Sequence, residues 1–274
     1  MIPLEDNFSD VIGKAQRGLR LSDTELAEKA RVSSQKIRQL REGSFDELAV
    51  ARVAPALGLA ARQLCDLAQG RWQPKKTGAV EGLEQFATNY HDMGVNSYLV
   101  WDPQSKQAVA FDTGADCRDM LKGAKKRGLT IKTILLTHAH PDHVADLPRL
   151  REETGASVYT PAEEPVPGAQ TFEEGKHWQL GVLHIDTRKT WGHSRGGMTY
   201  VVNGLSRKLA IVGDAIFAGS MGGGNVSYQD ALQTNLEKIL SLPDDTLICP
   251  GHGPMTTVGE EKQHNPFFAG RVDM

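Results

Sequence analysis

The segment Thr137-His138-Ala139-His140-Pro141-Asp142-His143 places four side chains of the metal-binding type directly after a mostly apolar, β-branched run at 131–136. That run predicts a buried strand. In an extended chain His138 and His140 point to the same side, so their imidazoles can converge on one cation. Because Pro141 ends the strand, Asp142 and His143 can face a second cation nearby. Burying these groups without metal would leave several of them unpaired, so the segment predicts a metal site.

Three later segments repeat this arrangement. Each carries a polar residue close to a glycine at the end of a β-type run: His193 in 190–194, Asp214 after 209–213, and His252 in 250–254. Glycine lets the backbone approach closely at such a point. An α/β active site gathers its residues from several strand ends, so these three side chains are further candidates for the same site.

These segments resemble the metallo-β-lactamase superfamily. The pattern at 138–143 matches its HxHxDH signature, and residues 213–220, 250–254 and 265–267 are similar to its glyoxalase II branch. The resemblance covers roughly residues 79–268. It implies an α+β fold, namely a four-layer αβ/βα sandwich in which two mixed sheets pack face to face with helices outside. It also implies two divalent metal ions along one open edge of that sandwich.

The resemblance further implies a role for each polar residue. The first metal would be held by His138, His140 and His193; the second would be held by Asp142, His143 and His252; and Asp214 would bridge the two. Asp112 matches the family's buried aspartate, and we expect it to hydrogen-bond the loop that carries the ligands. Zinc suits this ligand set, which also accepts iron or manganese.

Two such metals would share a bridging hydroxide that attacks a carbonyl, and Asp142 and Asp214 would be the catalytic carboxylates beside it. The resemblance to the glyoxalase II branch favours a thioester substrate of the hydroxyacylglutathione type. One departure affects the pocket. Gly223 stands where that branch usually has an arginine, so a fixed cation is missing from the pocket edge.

The first 69 residues have a different texture, with few glycines and prolines and with helical periodicity. Ser22 to Glu25 forms a capping-box signature that starts a short helix, and a second helix is expected from about 34 to 42. The pair resembles the helix-turn-helix domain of phage-repressor-type regulators. The resemblance implies binding to double-stranded DNA through a recognition helix at 34–41. The outward residues of that helix would be Gln35, Lys36, Arg38 and Gln39.

Two interpretations of this helical region remain open. It can be a DNA-binding domain, or a module for homodimer formation or partner docking that is fused to a metal-dependent hydrolase. In the first case the protein can be a transcription regulator whose metal domain senses or degrades the effector. Residues 70–78 contain Gly, Pro and Lys and read as a linker to a second domain at 79–274.

The composition narrows the remaining possibilities. The net charge is −3 and charged residues make up 24% of the chain, which is ordinary for a globular protein. No apolar run approaches the ~18 residues that cross a bilayer, so no membrane partner is expected. The N-terminus lacks the pattern of a secretory signal, and three widely separated cysteines form no CxxC pair. A cytoplasmic location is therefore expected.

Overall fold

Two six-stranded mixed sheets form the centre of the molecule in the computed structural model, which describes residues 2–271. The first sheet has the order β1-β2-β3-β4-β5-β6. Its strands are β1 (Leu83–Tyr90), β2 (Met93–Trp101), β3 (Gln107–Phe111), β4 (Thr130–Leu135), β5 (Ser157–Pro161) and β6 (Gln170–Phe172). The first three strands are antiparallel neighbours and the last four run parallel, with a register shift between β3 and β4.

The second sheet has the order β12-β11-β10-β9-β8-β7. Its strands are β7 (His177–Leu180), β8 (Leu183–Lys189), β9 (Met198–Asn203), β10 (Leu209–Gly213), β11 (Leu247–Pro250) and β12 (Thr256–Thr257). Only the pair β10 and β11 is parallel among these neighbours. The parallel pairs matter for the site, because parallel strands deliver their carboxyl ends to the same edge of a sheet.

The inner faces of the two sheets share one apolar core. Phe111 of the first sheet lies 5.3 Å from Tyr200 of the second, measured between ring centroids, and both side chains are fully buried. Val109 and Ile211 belong to the same cluster. Alternating residues of each strand thus point into the space between the sheets, as the two-residue repeat of a strand requires.

Helices cover the outer faces and complete the four layers. On the first sheet lie α6 (Arg118–Arg127), the short α7 (Pro141–Val144) and α8 (Leu147–Thr154). On the second lie α9 (Tyr228–Thr234), continued by a π-helical turn at Asn235–Ile239, and α10 (Val258–His264). The predicted α+β sandwich of two mixed sheets with outer helices is therefore confirmed. Among residues 2–271, no helix has both the length and the apolar character that crossing a bilayer demands.

Five helices precede the sandwich: α1 (Phe8–Gly18), α2 (Asp23–Ala30), α3 (Ser34–Arg41), α4 (Glu47–Ala56) and α5 (Ala61–Ala68). The capping box at Ser22 is present, because its hydroxyl accepts from the Glu25 N–H while the Glu25 carboxylate accepts from the Ser22 N–H. The helix α3 starts where the sequence predicts and buries Ile37 and Leu40 completely.

One apolar cluster joins these helices to the second sheet. Ile12 of α1 and Val53 of α4 belong to the same buried cluster as Val212, Ile248 and Phe268 of the sandwich. The helical region is thus packed onto the outer face of the sandwich. Apolar side chains of both regions are buried at this contact, and the hydrophobic effect stabilises it.

The segment 71–80 contains no helix or strand, but it lies against the sandwich. The Trp72 ring stacks on His264 with 5.3 Å between centroids, and the Lys75 N–H donates to a Glu260 carboxylate oxygen at 2.8 Å. The segment predicted to be a linker is therefore held in place by these two contacts.

Candidate metal centre

Strand ends deliver the seven predicted polar residues to one place. His138 follows β4 and His140 caps α7, on which Asp142 and His143 lie. The remaining three residues follow strands of the second sheet: His193 comes after β8, Asp214 after β10 and His252 after β11. Two sheets thus contribute to one cluster at the edge of the sandwich.

The seven residues form two groups. His138, His140, His193 and Asp214 each offer one ligand atom within 4.8 Å of the others, and Asp142, His143 and His252 do the same. In the first group, His140 Nδ1 lies 3.0 Å from His138 Nε2 and 3.1 Å from His193 Nε2. In the second, Asp142 Oδ2 lies 3.3 Å from His252 Nε2 and 3.5 Å from His143 Nε2.

Asp214 lies between the two groups. Its Oδ2 is 3.3 Å from His193 Nε2 in the first group and 3.3 Å from His252 Nε2 in the second. Its Oδ1 is 3.3 Å from His143 Nε2. A carboxylate in this position can contribute one oxygen to each of two neighbouring cations.

The residues fit a pair of divalent cations. His143 Nε2 and Asp214 Oδ1 are buried and neither has a hydrogen-bond partner among residues 2–271, although only 3.3 Å separates them. Unpaired buried polar atoms are costly, and a bound cation would satisfy both. Gly251 leaves this space open, since a Cβ there would lie 2.2 Å from Asp214 Oδ1. Imidazole and carboxylate together match zinc, iron and manganese.

The histidines and carboxylates of the cluster shift one another's pKa values. Burial lowers the pKa of His138 well below its usual value, which keeps its imidazole neutral, as a metal ligand must be. Burial alone would also lower the pKa of His143, but the carboxylates of Asp214 and Asp112 outweigh it and raise that pKa to about 10, so His143 would have to release a proton when it binds a cation. Burial would raise the pKa of Asp214, yet the surrounding histidines hold it well below its usual value. Asp214 is therefore ionised.

Asp112 supports the ligand-bearing loop through both carboxylate oxygens. Oδ1 accepts from the Thr137 N–H at 2.7 Å, and Oδ2 accepts from the Thr137 hydroxyl at 2.8 Å. Oδ2 also lies 2.8 Å from His143 Nδ1, which leaves His143 Nε2 directed at Asp214. Partners of this kind orient ligand imidazoles and fix which nitrogen carries the proton.

Two other histidines are oriented by backbone carbonyls. His252 Nδ1 lies 2.5 Å from the Gly94 carbonyl oxygen, and His193 Nδ1 lies 2.9 Å from that of Gly223. In each ring the Nε2 atom is thereby left to face the cluster.

Two residues at the site belong to no motif and were missed by sequence reasoning. Glu164 accepts from the Ala139 N–H at 3.2 Å and from the Gly196 N–H at 3.0 Å, so it ties the loop between His138 and His140 to the loop after His193. Glu5 comes from the N-terminal segment, and its carboxylate lies 4.0 Å from His252 Nδ1. Burial raises the pKa of Glu5. A lone glutamate in a loop gives no sequence signal for either role.

The four residues predicted to contact DNA lie on α3, outside the cluster. Gln35 and Arg38 are exposed and Gln39 is half-buried. Lys36 lies 2.9 Å from the Asp46 carboxylate. The exposed face of α3 therefore presents Gln35 and Arg38, with Lys36 already engaged by an acid.

The chain is similar in sequence and in fold to proteins of one superfamily. Residues 92–252 match the family model described as "Metallo-beta-lactamase superfamily". "Probable metallo-hydrolase YqgX" of Bacillus subtilis is 35% identical over 191 residues, which are 60% of this chain and 88% of that protein. "Hydroxyacylglutathione hydrolase GloC" of Haemophilus influenzae is 27% identical over 198 residues, 63% and 92% of the two chains. The crystal structure of TTHA1623 in a di-iron-bound form is 28% identical, with a TM-score of 0.54, and the match covers 67% of this chain and 100% of that one.

Proposed function

Because the chain belongs to the metallo-β-lactamase superfamily, we propose that this metallo-hydrolase cleaves a thioester of the hydroxyacylglutathione type at a two-metal centre. The single observation that carries the proposal is the position of Asp214 between two groups of three further ligand-type residues, within 3.3 Å of a histidine of each group. Two adjoining sites that share one carboxylate suit a two-metal hydrolytic centre.

When bound, two divalent cations would polarise the substrate carbonyl and lower the pKa of an attacking water. The seven residues named above would hold them. Asp142 would have a second task, because its Oδ2, which lies 3.3 Å from His252 Nε2 within the second group, could accept a proton from that water. The water oxygen adds to the carbonyl carbon, the carbon–sulfur bond breaks, and the sulfur leaves as a thiol once it has taken up a proton.

The protein offers no competing cysteine nucleophile among its described residues. Cys65, Cys117 and Cys249 are all buried, and burial raises the pKa of each thiol. Thiols of this kind are poor nucleophiles at neutral pH. Attack by water is therefore the favoured route.

Two relatives inform the substrate and the metal. GloC is named as a hydroxyacylglutathione hydrolase, which supports a thioester as the substrate here. TTHA1623 was crystallised with two irons, which supports two metal positions. We propose zinc as the native metal, with iron and manganese as the alternatives that the same ligands accept.

A second candidate function is transcription regulation through the helical region. The observation that favours it is the exposed face of α3, where Gln35 and Arg38 are free to reach base edges and phosphates. The ion pair of Lys36 with Asp46 would have to open before Lys36 could contribute. In this proposal the metal domain senses or degrades the effector.

The enzymatic proposal is tested with zinc-loaded protein and a panel of thioesters, lactones and phosphodiesters. We expect thioester hydrolysis that disappears on chelation and returns with zinc. His138→Ala should lower kcat/KM by roughly 10³-fold or more, as expected when a group essential for holding the metal is lost. His184→Ala is the matched control, because His184 is exposed on β8, and it should keep full activity. Undiminished hydrolysis by fully metal-free protein would refute the proposal.

The regulatory proposal is tested by a gel shift with DNA from the region upstream of the gene that encodes this chain. We expect binding that weakens with salt and is lost in Arg38→Ala. Arg62→Ala, which removes an exposed arginine of α5, is the control. Salt-dependent binding that is equal in both variants would place the DNA contact elsewhere.

A further inference from the structure

A cavity of about 430 Å³ lies where the end of α1 meets the loop before α9. The helix contributes Lys14 and Arg17 to its wall, the turn after the helix contributes Arg20, and the loop contributes Gly223 and Asn225. Among residues 2–271, no acidic residue lines it. The cavity is therefore polar and positively charged.

Two of the three cations are available to a ligand. Lys14 is paired with Asp6 and also donates to the Met221 carbonyl at 3.0 Å. Arg17 and Arg20 are exposed, and within residues 2–271 neither guanidinium forms an ion pair. A guanidinium binds carboxylate and phosphate groups through paired hydrogen bonds.

Only the glycine-rich loop separates this cavity from the metal centre. The Gly223 carbonyl, on the cavity wall, lies 2.9 Å from His193 Nδ1. A Cβ on the preceding Gly222 would lie 2.9 Å from the same nitrogen, so the loop packs closely against the side of His193 that faces away from the cluster. The cavity and the metal centre therefore lie on the two sides of one loop.

The helix and the loop are fixed against each other. A Cβ on Gly18 would lie 2.3 Å from the Tyr228 ring, so α1 packs on α9 at a distance that only glycine allows. Tyr228 itself is 5% exposed. The position of the two arginines relative to the loop is therefore set by close packing.

We infer that this cavity binds the anionic arm of the substrate, through carboxylates or phosphates, and that α1 is part of the substrate-binding surface. The inference rests on the proposed thioester hydrolysis for the identity of the arm. The loop itself offers no cationic side chain at Gly222, Gly223 or Gly224. Arg17 lies on α1 and Arg20 lies in the turn after it, and both precede the family match at 92–252, so the added helical region supplies what the loop lacks.

The kinetic test compares three thioesters: S-lactoylglutathione, which carries carboxylates; acetyl-coenzyme A, which carries phosphates; and the neutral S-acetyl-N-acetylcysteamine. In Arg17→Gln with Arg20→Gln, we expect KM for at least one anionic substrate to rise roughly tenfold, since two charge-assisted contacts are lost. The neutral substrate should keep its KM and kcat. Lys29→Gln with Arg62→Gln removes two exposed cations outside the cavity and should change nothing. Equal effects on neutral and anionic substrates, or none on either, would overturn the inference.

A binding measurement keeps the inference separate from the proposed activity. Calorimetry with S-methylglutathione, which has no free thiol, and with inorganic pyrophosphate requires no turnover. We expect the zinc-loaded wild type to bind one of them roughly tenfold more tightly than the double arginine variant does. The inference is overturned if the wild type binds neither probe or if the variant binds as tightly. The proposed function fails instead if the wild type hydrolyses no thioester in the panel, whatever calorimetry shows.

Discussion

The helical region at 2–70 and the sandwich at 80–271 bury different kinds of residue. Between residues 2 and 70, Asp6 and Gln16 are the buried polar side chains, and Asp6 reaches across to accept from the Ser220 hydroxyl. The sandwich buries a whole set of ionisable groups at its strand ends, including Asp112, Asp214 and His252. The costly burial of ionisable groups is therefore concentrated in the sandwich, at the metal centre and also at Glu261, whereas the helices contribute mainly apolar packing and surface charge.

The two regions nevertheless share a core, since the cluster that contains Ile12 continues into the second sheet through Val212. The two regions therefore differ in which of them carries the chemistry, but they should unfold together because they share a core. Four substitutions test this difference and this shared stability, from the largest expected effect to the smallest.

The largest effect tests the shared core. Ile12 is fully buried, so Ile12→Ala leaves a cavity and should lower the free energy of unfolding by about 2–5 kcal/mol. We expect one cooperative urea transition by fluorescence and by activity, shifted together. Leu48→Ala, at a side chain that is 78% exposed on α4, should leave the midpoint nearly unchanged. A separate early transition that leaves hydrolysis intact would show that the helices form an independent domain.

The second change tests the cost of burying charge in the sandwich. Glu261 is fully buried and accepts from the Gly219 N–H and from Asn265, yet burial raises its pKa to about 7. In the unfolded chain its pKa returns to near 4.5. Between these values the folded protein binds more protons, so the stability contributed by Glu261 is present at low pH and is lost as pH rises from about 4.5 to 7.

The test for Glu261 compares the free energies of unfolding of the wild type and of Glu261→Gln across a range of pH. The free energy of unfolding of the wild type minus that of Glu261→Gln should fall by up to about 3 kcal/mol between pH 4.5 and pH 8. Subtraction removes the titration of the metal-site histidines, which both proteins share. Glu28→Gln, at an exposed position on α2, should show no such pH dependence. If the difference in free energy of unfolding does not change with pH, the pKa of Glu261 is the same in the folded and unfolded chains and the prediction is wrong.

The third change weakens the support of the ligands. In Asp112→Asn, one of the two acceptor oxygens is replaced by an NH₂ group. The side chain can then no longer accept from both Thr137 and His143, so His143 loses its orientation. We expect zinc affinity and kcat to fall by about 10–100-fold, which is typical for partners of metal ligands. Zinc titration with a competing chelator measures the affinity. An unchanged zinc affinity would show that Asp112 does not orient the metal ligands and contributes only to the stability of the fold.

The smallest effect concerns Glu164, one of the two glutamates near the site that sequence reasoning missed. In Glu164→Gln one amide oxygen remains to accept from either the Ala139 or the Gly196 N–H, so one of the two contacts is lost. We expect kcat to fall by less than about tenfold, because the ligands themselves stay in place. Glu163→Gln, at the exposed neighbouring position, is the control. Equal activities of both variants would show that Glu164 does not position the ligand loops.

Part of this account could be predicted from the sequence, because strand periodicity and strand-end residues are local patterns. The run at 131–136 predicted β4, and the polar residues after it and after β10 and β11 lie in the cluster where they were expected. Helix boundaries at Ser22 and Ser33 also follow from local capping chemistry.

What could not be predicted depends on long-range packing. The contact of Glu5 with His252 and that of Lys14 with Met221 join residues more than 200 positions apart, and neither leaves a repeat or motif in the sequence. The linker composition of 70–78 likewise cannot distinguish a mobile tether from an irregular segment that docks through Trp72. DNA binding by α3 stays a prediction, because an exposed polar helix face is compatible with several partners.

The most direct test of the central claim is the number of zinc ions that each chain binds. Equilibrium dialysis followed by elemental analysis should give two per chain for the wild type. His252→Ala removes a residue of the second group only and should give one, whereas Lys29→Gln should still give two. One zinc or none in the wild type would contradict the two-metal centre, as would two zincs retained after loss of His252.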